Sequence, residues 1–174
     1  MRLESKGPAL FVQERVGTYG ESFDILKFRT MTEGSEKGDV VVTKGDARVT
    51  RVGKFLRATS LDELPQLINI LKGDMSLVGP RPTLRYQVDQ YDATQRRRLD
   101  VPPGVTGWAQ IHGRNSLPWP QRIELDVWYA DHWSFWLDLE ILVKTVPVVL
   151  GAEEVYGDRA NFDMFDQSGR VSEG

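Results

Sequence analysis

The spacing of apolar residues in the middle of the chain restricts the fold more than any other feature of the sequence. Between Leu61 and Leu71, leucine and isoleucine recur at intervals of three and four residues, which is the period of one helix face. Ser60 and Glu63 have the spacing of a capping box, and Gly73 is a typical residue to end a helix. The pattern therefore predicts a helix that is capped at Ser60 and stops at Gly73.

Two adjacent carboxylates, Asp62 and Glu63, fall at the N-terminus of this helix, whether its cap is Ser60 or Asp62 itself. The positive end of a helix dipole attracts phosphate and keeps a carboxylate ionised, which suits a nucleophile or a metal ligand. Acidic residues in a first turn also cap helices without any further function. The spacing alone leaves both interpretations open, and capping is the commoner of the two.

Shorter segments, separated by glycine and proline, predict the rest of the fold. We expect strands at 9–13, 22–31 and 107–111, the first two joined as a hairpin. We expect helices at 48–57, 83–99, 124–133 and 135–150, the last with an apolar stripe that includes Phe135, Leu139, Val143 and Val146. Residues 32–46 predict a surface loop. The fold class is therefore α+β, mostly helical with a few short strands.

The composition excludes several classes of protein and of site. A chain of 174 residues with 40% hydrophobic and 27% charged residues is expected to fold as one domain. Without cysteine it can hold no disulfide, no thiolate nucleophile and no cysteine-bound metal. Its two histidines, His112 and His132, exclude a histidine-rich metal site, and we assign neither to catalysis. It also contains no run of about 20 apolar residues, the length that a spanning helix needs.

The charge of the chain is divided unevenly. Residues 1–122 hold 19 Lys and Arg against 14 Asp and Glu, a net charge of +5, whereas residues 123–174 hold 3 against 11, a net charge of −8. The first part is therefore the expected anion-binding half. Its basic residues predict either a phosphate cradle or a solvated surface: Lys27, Arg29, Arg48, Arg51, Lys54, Arg57 and Arg81.

Two further clusters bear on the kind of partner. The run Arg96–Arg98 is typical of a solvated helix face or of a lipid headgroup contact. The aromatic residues between Trp128 and Trp136 lie in the acidic part, not among the basic residues, which argues against nucleic acid as a partner. That aromatic segment fits either ordinary core packing or a position at a membrane interface.

Five motifs occur in one fixed order along the chain. They are Lys27–Met31 (KFRTM), Ser60–Leu67 (SLDELPQL), Lys72–Pro82 (KGDMSLVGPRP), Gly104–Gln110 (GVTGWAQ) and Gly113–Asn115 (GRN). In this order they closely resemble the bacterial sugar transferase family, the monotopic phosphoglycosyl transferases or polyprenyl-phosphate sugar-1-phosphate transferases. The resemblance runs from about Ser5 to Leu150.

The resemblance implies an enzyme that transfers a sugar 1-phosphate from a UDP-sugar to undecaprenyl phosphate and releases UMP. It implies a location at the cytoplasmic face of the bacterial inner membrane, where such a step initiates a surface glycan, and a requirement for Mg²⁺. In the family's mechanism Asp62 is the nucleophile that forms a phosphosugar-aspartyl intermediate. Glu63 is a metal ligand or proton acceptor, so that both carboxylates are candidate metal ligands.

The family's pattern also implies a set of residues that bind substrate. They are Lys27, Arg29, Arg57, Arg81, Arg114, Asp126 and Asp138. The sequence departs from the family pattern at Ala58, before the Ser-Leu-Asp-Glu motif, and at His112, before Gly-Arg-Asn. Neither departure removes a proposed catalytic group.

Family members carry a hydrophobic membrane helix before the segment that matches Ser5–Pro8, and this sequence shows none. We therefore expect a peripheral membrane catalytic domain over residues 1–150, truncated at that helix, followed by an acidic tail over 151–174. A homo-oligomer is left open. The alternative function is a non-catalytic module that binds a membrane or a partner protein.

Overall fold

The chain begins with a β-hairpin. The computed structural model describes residues 4, 7–35, 42, 45–113 and 116–151. Strands β1 (Leu10–Val16) and β2 (Ser22–Phe28) pair antiparallel, with Leu10 opposite Phe28 and Val16 opposite Ser22. A 3₁₀ turn at Thr18–Gly20 joins them. The predicted hairpin is confirmed, although β1 extends three residues further and β2 ends three residues earlier than the sequence indicated.

Helix α1 (Arg51–Ala58) packs against the chain that leaves β2 and confirms the predicted basic helix with a later start. The Thr50 side chain caps it by accepting a hydrogen bond from the Gly53 N–H at 2.9 Å. The Thr50 N–H donates to the Thr30 carbonyl at 3.0 Å, and a Cβ at Gly53 would overlap that same carbonyl. Only glycine at position 53 permits this approach, which brings Arg57 near the hairpin.

The next segment differs from the predicted capped helix. A 3₁₀ turn at Leu61–Glu63 precedes helix α2 (Gln66–Lys72). Ser60 has a left-handed φ of 56° and its side chain makes no capping hydrogen bond, so the predicted capping box is wrong. Asp62 and Glu63 consequently lie in a separate turn before α2 rather than in its first turn.

The faces of α2 are reversed relative to an ordinary amphipathic helix. Its buried side chains are Gln66 and Asn69. The five apolar residues that carry the predicted helical period are between 37% and 88% exposed: Leu61, Leu64, Leu67, Ile68 and Leu71. Asn69 accepts a hydrogen bond from the Leu26 N–H at 3.0 Å and donates to the Asp24 carbonyl at 2.7 Å. Its amide thereby pairs with the edge of β2 that faces away from β1, and fixes α2 to the hairpin.

The predicted single helix over 83–99 is wrong. The chain instead forms helices α3 (Arg85–Val88) and α4 (Ala93–Arg96) and a 3₁₀ turn at Arg97–Leu99. The break occurs because Asp92 caps α4, accepting a hydrogen bond from the Gln95 N–H at 2.8 Å. The cap restarts the helix and so changes the direction of the chain.

A short pair of parallel strands forms a sheet separate from the hairpin. Strands β3 (Ser76–Val78) and β4 (Gly104–Thr106) pair in parallel, and helix α5 (Trp108–Ile111) follows β4. The predicted strand at 107–111 is therefore wrong, because the strand ends before it. A Cβ at Gly104 would overlap the backbone of Gly79, so the glycine of this motif serves the close approach of the two chains.

Two longer helices follow in the described part of the chain, α6 (Trp119–His132) and α7 (Phe135–Leu150). The predicted helix at 135–150 is confirmed, and that at 124–133 starts five residues earlier than predicted. The predicted apolar stripe of α7 is largely exposed, whereas Leu137 and Ile141 are buried against Val78. The sequence gives the period of this helix but not its neighbours, so the stripe alone does not identify the buried face.

The architecture confirms an α+β fold with mostly helices and a few short strands. The core has two parts, one around Ile123 and Val127 of α6 and one around Tyr129 and Ile141. Within the described residues, no helix combines the length and the apolar character needed to span a membrane. Of the predicted loop at 32–46, residues 36–41, 43 and 44 lie outside the described residues. The predicted tail lies outside them from residue 152 onwards.

The reversed helix gives a first prediction. Asn69→Ala removes the two hydrogen bonds to β2 and should lower the free energy of unfolding by about 1–3 kcal/mol. Leu71→Gln, on the exposed face of the same helix, should change it by less than about 0.5 kcal/mol. Urea denaturation of both variants measures the two values. An ordinary amphipathic helix would give the opposite order, so a larger loss in Leu71→Gln would contradict the assignment of the faces.

Candidate active site

The candidate site is centred on Glu63, which links three separate parts of the fold. Its carboxylate accepts a hydrogen bond from Lys27 Nζ of β2 at 3.1 Å. It also pairs with the Arg81 guanidinium, whose Nη2 contacts Oε1 and whose Nη1 lies 3.5 Å from Oε2. The Glu63 side chain is only 14% exposed. Screening by water is therefore limited, and the two cations interact strongly with this carboxylate.

The local backbone fixes both cations. Lys27 lies opposite Phe11 in the hairpin, on the strand that Asn69 holds against α2. Arg81 follows β3 between Pro80 and Pro82, which fix their own φ angles and restrict the residue that precedes each of them. Both side chains therefore start from a constrained backbone and meet at the turn that carries Glu63.

The burial of these charges shifts their pKa values. Burial would raise the pKa of Glu63, but the charges of Arg81 and Lys27 outweigh it and hold that pKa far below its ordinary value of 4.5. Burial lowers the pKa of Lys27 to about 8, against the opposing attraction of Glu63. Glu63 is thus ionised at neutral pH, and it is neutralised by two cations.

Asp62 has a different environment from its neighbour. Burial raises the pKa of Asp62, and the negative charge of Glu63 raises it further, while Lys27, Arg57 and Arg81 act in the opposite direction. No residue in the described part of the chain donates a hydrogen bond to its carboxylate. Asp62 is therefore an available carboxylate that lies among positive charges, as a nucleophile or a ligand requires.

Arg57 belongs to the same cluster. It extends from α1, and its Nε donates a hydrogen bond to Thr30 Oγ1 at 2.8 Å. Its positive charge opposes the rise in the pKa of Asp62 that burial and Glu63 cause. The structure thus brings together five of the residues predicted from the sequence: Lys27, Arg57, Asp62, Glu63 and Arg81.

Two arginines near this cluster were missed by the sequence analysis. Burial, followed by repulsion from Arg81, lowers the pKa of Arg15 and of Arg122 to about 10 each. Arg15 lies on β1 and shares a strand face with Phe11, whose partner is Lys27. Strand alternation could have found Arg15, but the predicted strand ended before it. Arg122 is brought close by the packing of α6, for which the sequence carries no local signal.

Other residues that were predicted to bind substrate have their contacts outside the Glu63 cluster. Arg29 is buried and donates a hydrogen bond to the Gly7 carbonyl at 3.2 Å. Asp138 accepts hydrogen bonds from the Tyr129 hydroxyl at 2.6 Å and from Trp133 Nε1 at 3.2 Å.

Asp126 and Arg114 complete this set. Asp126 is 3% exposed and pairs with Arg98, so its burial favours an indirect role. Arg114 lies outside the described residues. Contact of these four residues with substrate stays a prediction.

The aromatic segment favours the interfacial alternative over core packing. Tyr129 is buried, whereas Trp133, Phe135 and Trp136 are between 59% and 74% exposed. Trp128 stacks between Trp108 and His132, with ring centroids 4.8 and 4.4 Å away.

The Nδ1 atoms of His112 and His132 each lie 2.8 Å from a carbonyl of their own helical segment. Neither histidine contacts Glu63, Lys27 or Arg81.

The Glu63 ion pairs predict a dependence of stability on pH. Because the pKa of Glu63 lies below 4.5 in the folded protein, its stabilising effect is complete above that pH and is lost as the pH falls. In metal-free buffer, the free energy of unfolding should fall more steeply below pH 4.5 for the wild type than for Glu63→Gln. Urea denaturation between pH 3 and 7 measures this difference.

Glu21→Gln, on the exposed hairpin turn, is the matched control and should follow the wild-type profile. Parallel profiles for the wild type and Glu63→Gln would show that the ion pairs do not stabilise the fold.

Comparison with known proteins identifies the family. The family model described as bacterial sugar transferase matches residues 1–152. An uncharacterised sugar transferase of Bacillus subtilis, EpsL, is 48% identical over 174 residues, which cover 99% of this chain and 85% of that protein. A UDP-glucose:undecaprenyl-phosphate glucose-1-phosphate transferase of Caulobacter vibrioides is 47% identical over 165 residues, 90% of this chain and 62% of that protein.

Other relatives are much longer than this chain. An undecaprenyl-phosphate galactose phosphotransferase of Salmonella typhimurium is 42% identical over 166 residues, which are 86% of this chain but only 35% of that protein. The family match includes every residue of the Glu63 cluster, and the described fold holds those residues together. The chain belongs to the bacterial sugar transferase family.

Proposed function

We propose that this chain transfers a sugar 1-phosphate from a UDP-sugar to undecaprenyl phosphate, with release of UMP. The observation that carries the proposal is the Asp62 carboxylate, which lies among cations and accepts no hydrogen bond from any described residue, beside a Glu63 that is already paired with Lys27 and Arg81. Donor and acceptor are both phosphates, and a site with more positive than negative charge suits them. The names of the relatives from Caulobacter and Salmonella support the choice of undecaprenyl phosphate as acceptor.

The proposed reaction has two steps with Asp62 as the nucleophile. In the first, an Asp62 carboxylate oxygen bonds to the β-phosphorus of the donor, and the bond from that phosphorus to the bridging oxygen breaks. UMP leaves with the electron pair, and the sugar phosphate stays on Asp62 as an acyl phosphate. In the second, a phosphate oxygen of the acceptor attacks the same phosphorus, and Asp62 leaves as a carboxylate.

The cations supply the electrostatic stabilisation that phosphoryl transfer needs. Arg57 and Arg81 are suited to the charge that develops on the phosphate oxygens, since a guanidinium binds such oxygens in a bidentate fashion. Glu63 holds Arg81 and Lys27 beside Asp62. In this proposal Glu63 therefore orients the cations, and it remains ionised throughout.

We propose Mg²⁺ as the cofactor, with Asp62 and Glu63 as the candidate protein ligands. The described residues contain no group of three or more acidic or histidine side chains that could hold a metal ion alone. This fits magnesium, which usually takes one or two carboxylates and completes its coordination with water and substrate phosphates. Asp62 is available, whereas Glu63 would have to share oxygens that already accept bonds from Lys27 and Arg81. The ion would supply further positive charge at the donor diphosphate.

We also propose that the exposed face of α1 and α2 lies on the cytoplasmic face of the inner membrane. Phe55 is 62% exposed on α1, beside the exposed basic residues Arg51 and Lys54. Leu67 and Leu71 of α2 are exposed as well, and the turn that bears Asp62 lies between the two helices in the sequence. A mixed apolar and basic surface is typical of helices that lie in the plane of an anionic membrane. This placement would bring the lipid acceptor to Asp62.

The covalent step is tested by trapping. The full-length protein is incubated with a panel of UDP-sugars labelled in the sugar and with Mg²⁺, without acceptor. Intact mass should show label on the wild type and none on Asp62→Asn, because an amide cannot form the acyl phosphate. Asp89→Asn, at an exposed aspartate that directly follows α3, is the matched control and should be labelled like the wild type.

The outcomes of trapping are distinct. Turnover by Asp62→Asn, or label on it, would contradict the role of Asp62 and favour direct transfer. No UMP release by the wild type with any donor, even with undecaprenyl phosphate present, would favour the non-catalytic membrane or partner-binding module.

The membrane surface is tested by vesicle flotation. Leu64→Gln combined with Leu71→Gln should weaken binding to vesicles with anionic phospholipid at least about tenfold, because two exposed leucines no longer bury apolar area. Val12→Gln, at an apolar position of the hairpin that is 52% exposed, is the control and should bind as the wild type does. Equal binding of all three proteins would rule out this face as the membrane contact.

A further inference from the structure

The backbone around Arg81 is held in place by other elements. The Pro80 carbonyl accepts a hydrogen bond from the Gly104 N–H at 2.9 Å. The next carbonyl, that of Arg81, accepts one from Arg98 Nη2 at 3.0 Å. Because Pro82 restricts the conformation of the residue before it, a shift of the Arg81 carbonyl would displace the whole residue. The position of the Arg81 guanidinium at Glu63 therefore depends on Arg98.

Arg98 is built into the interior. It is 3% exposed, and all five of its N–H groups have acceptors. Nε and Nη2 donate to Asp126, Nη1 donates to the Tyr91 hydroxyl at 2.7 Å and to Thr83 Oγ1 at 3.2 Å, and Nη2 also reaches the Arg81 carbonyl. A guanidinium with every donor satisfied has one orientation, and that orientation is set by α6 through Asp126.

We infer that Arg98 is a positioning residue of the active site and that Asp126 is its anchor. Asp126 orients Arg98, Arg98 fixes the Arg81 carbonyl, and the Arg81 side chain then meets Glu63 beside Asp62. The inference rests on the proposed function, since it assigns to Arg98 an effect on the transfer reaction. It also gives the buried Asp126 a role that needs no contact with substrate.

The chain offers a matched control on the same two elements. Arg97, the residue before Arg98, pairs with Asp131 of α6, and their side chains are 50% and 31% exposed. Their interaction has the same chemistry, but none of its hydrogen bonds goes to the backbone of Arg81. A comparison of the two pairs therefore separates the loss of an ion pair from the loss of the contact with Arg81.

The test replaces each pair by apolar residues. Removal of one partner alone would leave a buried charge, whereas Arg98→Met with Asp126→Leu removes both, a change that cores often tolerate without loss of stability. We expect a melting temperature near that of the wild type and a fall of about 100-fold in kcat/KM for UMP release, as for a displaced catalytic group. Arg97→Met with Asp131→Leu should retain wild-type activity. Full activity in the Arg98 and Asp126 variant would overturn the inference.

Arg98→Lys covers the case in which the paired variant does not fold. Lysine keeps the charge opposite Asp126, but its single nitrogen cannot reproduce the fork that also binds the Arg81 carbonyl. Activity should fall at least about tenfold. In an Arg81→Ala background, Arg98→Lys should cause no further fall, because it acts through Arg81. A second fall of similar size would overturn the inference.

One readout needs no activity and separates this inference from the proposed function. The stabilities of Arg81→Ala, Glu63→Gln and the combined variant give the coupling between Arg81 and Glu63. This coupling should vanish in the Arg98→Lys background and persist in the Arg97→Met background. If it persists in both, Arg98 does not position Arg81. If the wild type releases no UMP with any donor, the proposed function fails, and the coupling still decides the role of Arg98.

Discussion

The shared carboxylate of Glu63 is the interaction on which the site depends. Lys27 and Arg81 come from a strand and from a loop that are far apart in sequence, and without Glu63 the two cations would repel one another. One negative charge between two positive ones leaves the cluster positive, so an anionic ligand can complete the neutralisation. Among the described residues, Lys27 and Arg81 form their ion pairs with Glu63 and none with Asp62. The two neighbouring acids therefore differ in their contacts. Glu63 holds the two cations, and the Asp62 carboxylate is available to a ligand.

The reversed helix α2 connects this cluster to the surface of the protein. Asn69 replaces a strand as the hydrogen-bonding partner of β2, and that polar contact requires the polar face of the helix to point inwards. The leucines must then point outwards, which water alone would not favour. The orientation that joins α2 to β2 therefore also creates an apolar surface next to the site, which suits the lipid-linked acceptor of the proposed reaction.

Much of the fold and of the cluster could be predicted from the sequence, but the orientations could not. Alternation predicts the hairpin and helical periodicity predicts α1 and α7, because both signals are local. The motif order predicted that Asp62 belongs with Lys27, Arg57 and Arg81, and the structure places these residues in one cluster, while their roles in a reaction stay predictions. Periodicity cannot tell which face of a helix is buried, and it failed for α2 and α7. Arg15 lies beyond the predicted end of β1, and Arg122 joins the cluster only through the long-range packing of α6.

The run Arg96–Arg98 shows why composition misleads at single positions. The run predicts a solvated basic face, and Arg97 fits that prediction, but a 3₁₀ turn directs Arg98 into the core. A buried cation is tolerated only if its charge and all its donors are satisfied, which here takes a carboxylate, two hydroxyls and a backbone carbonyl. Only arginine has the five N–H groups that this set of acceptors uses. The identity of residue 98 is therefore dictated by hydrogen bonding to partners that are distant in sequence, and the last of those partners lies in the backbone of Arg81.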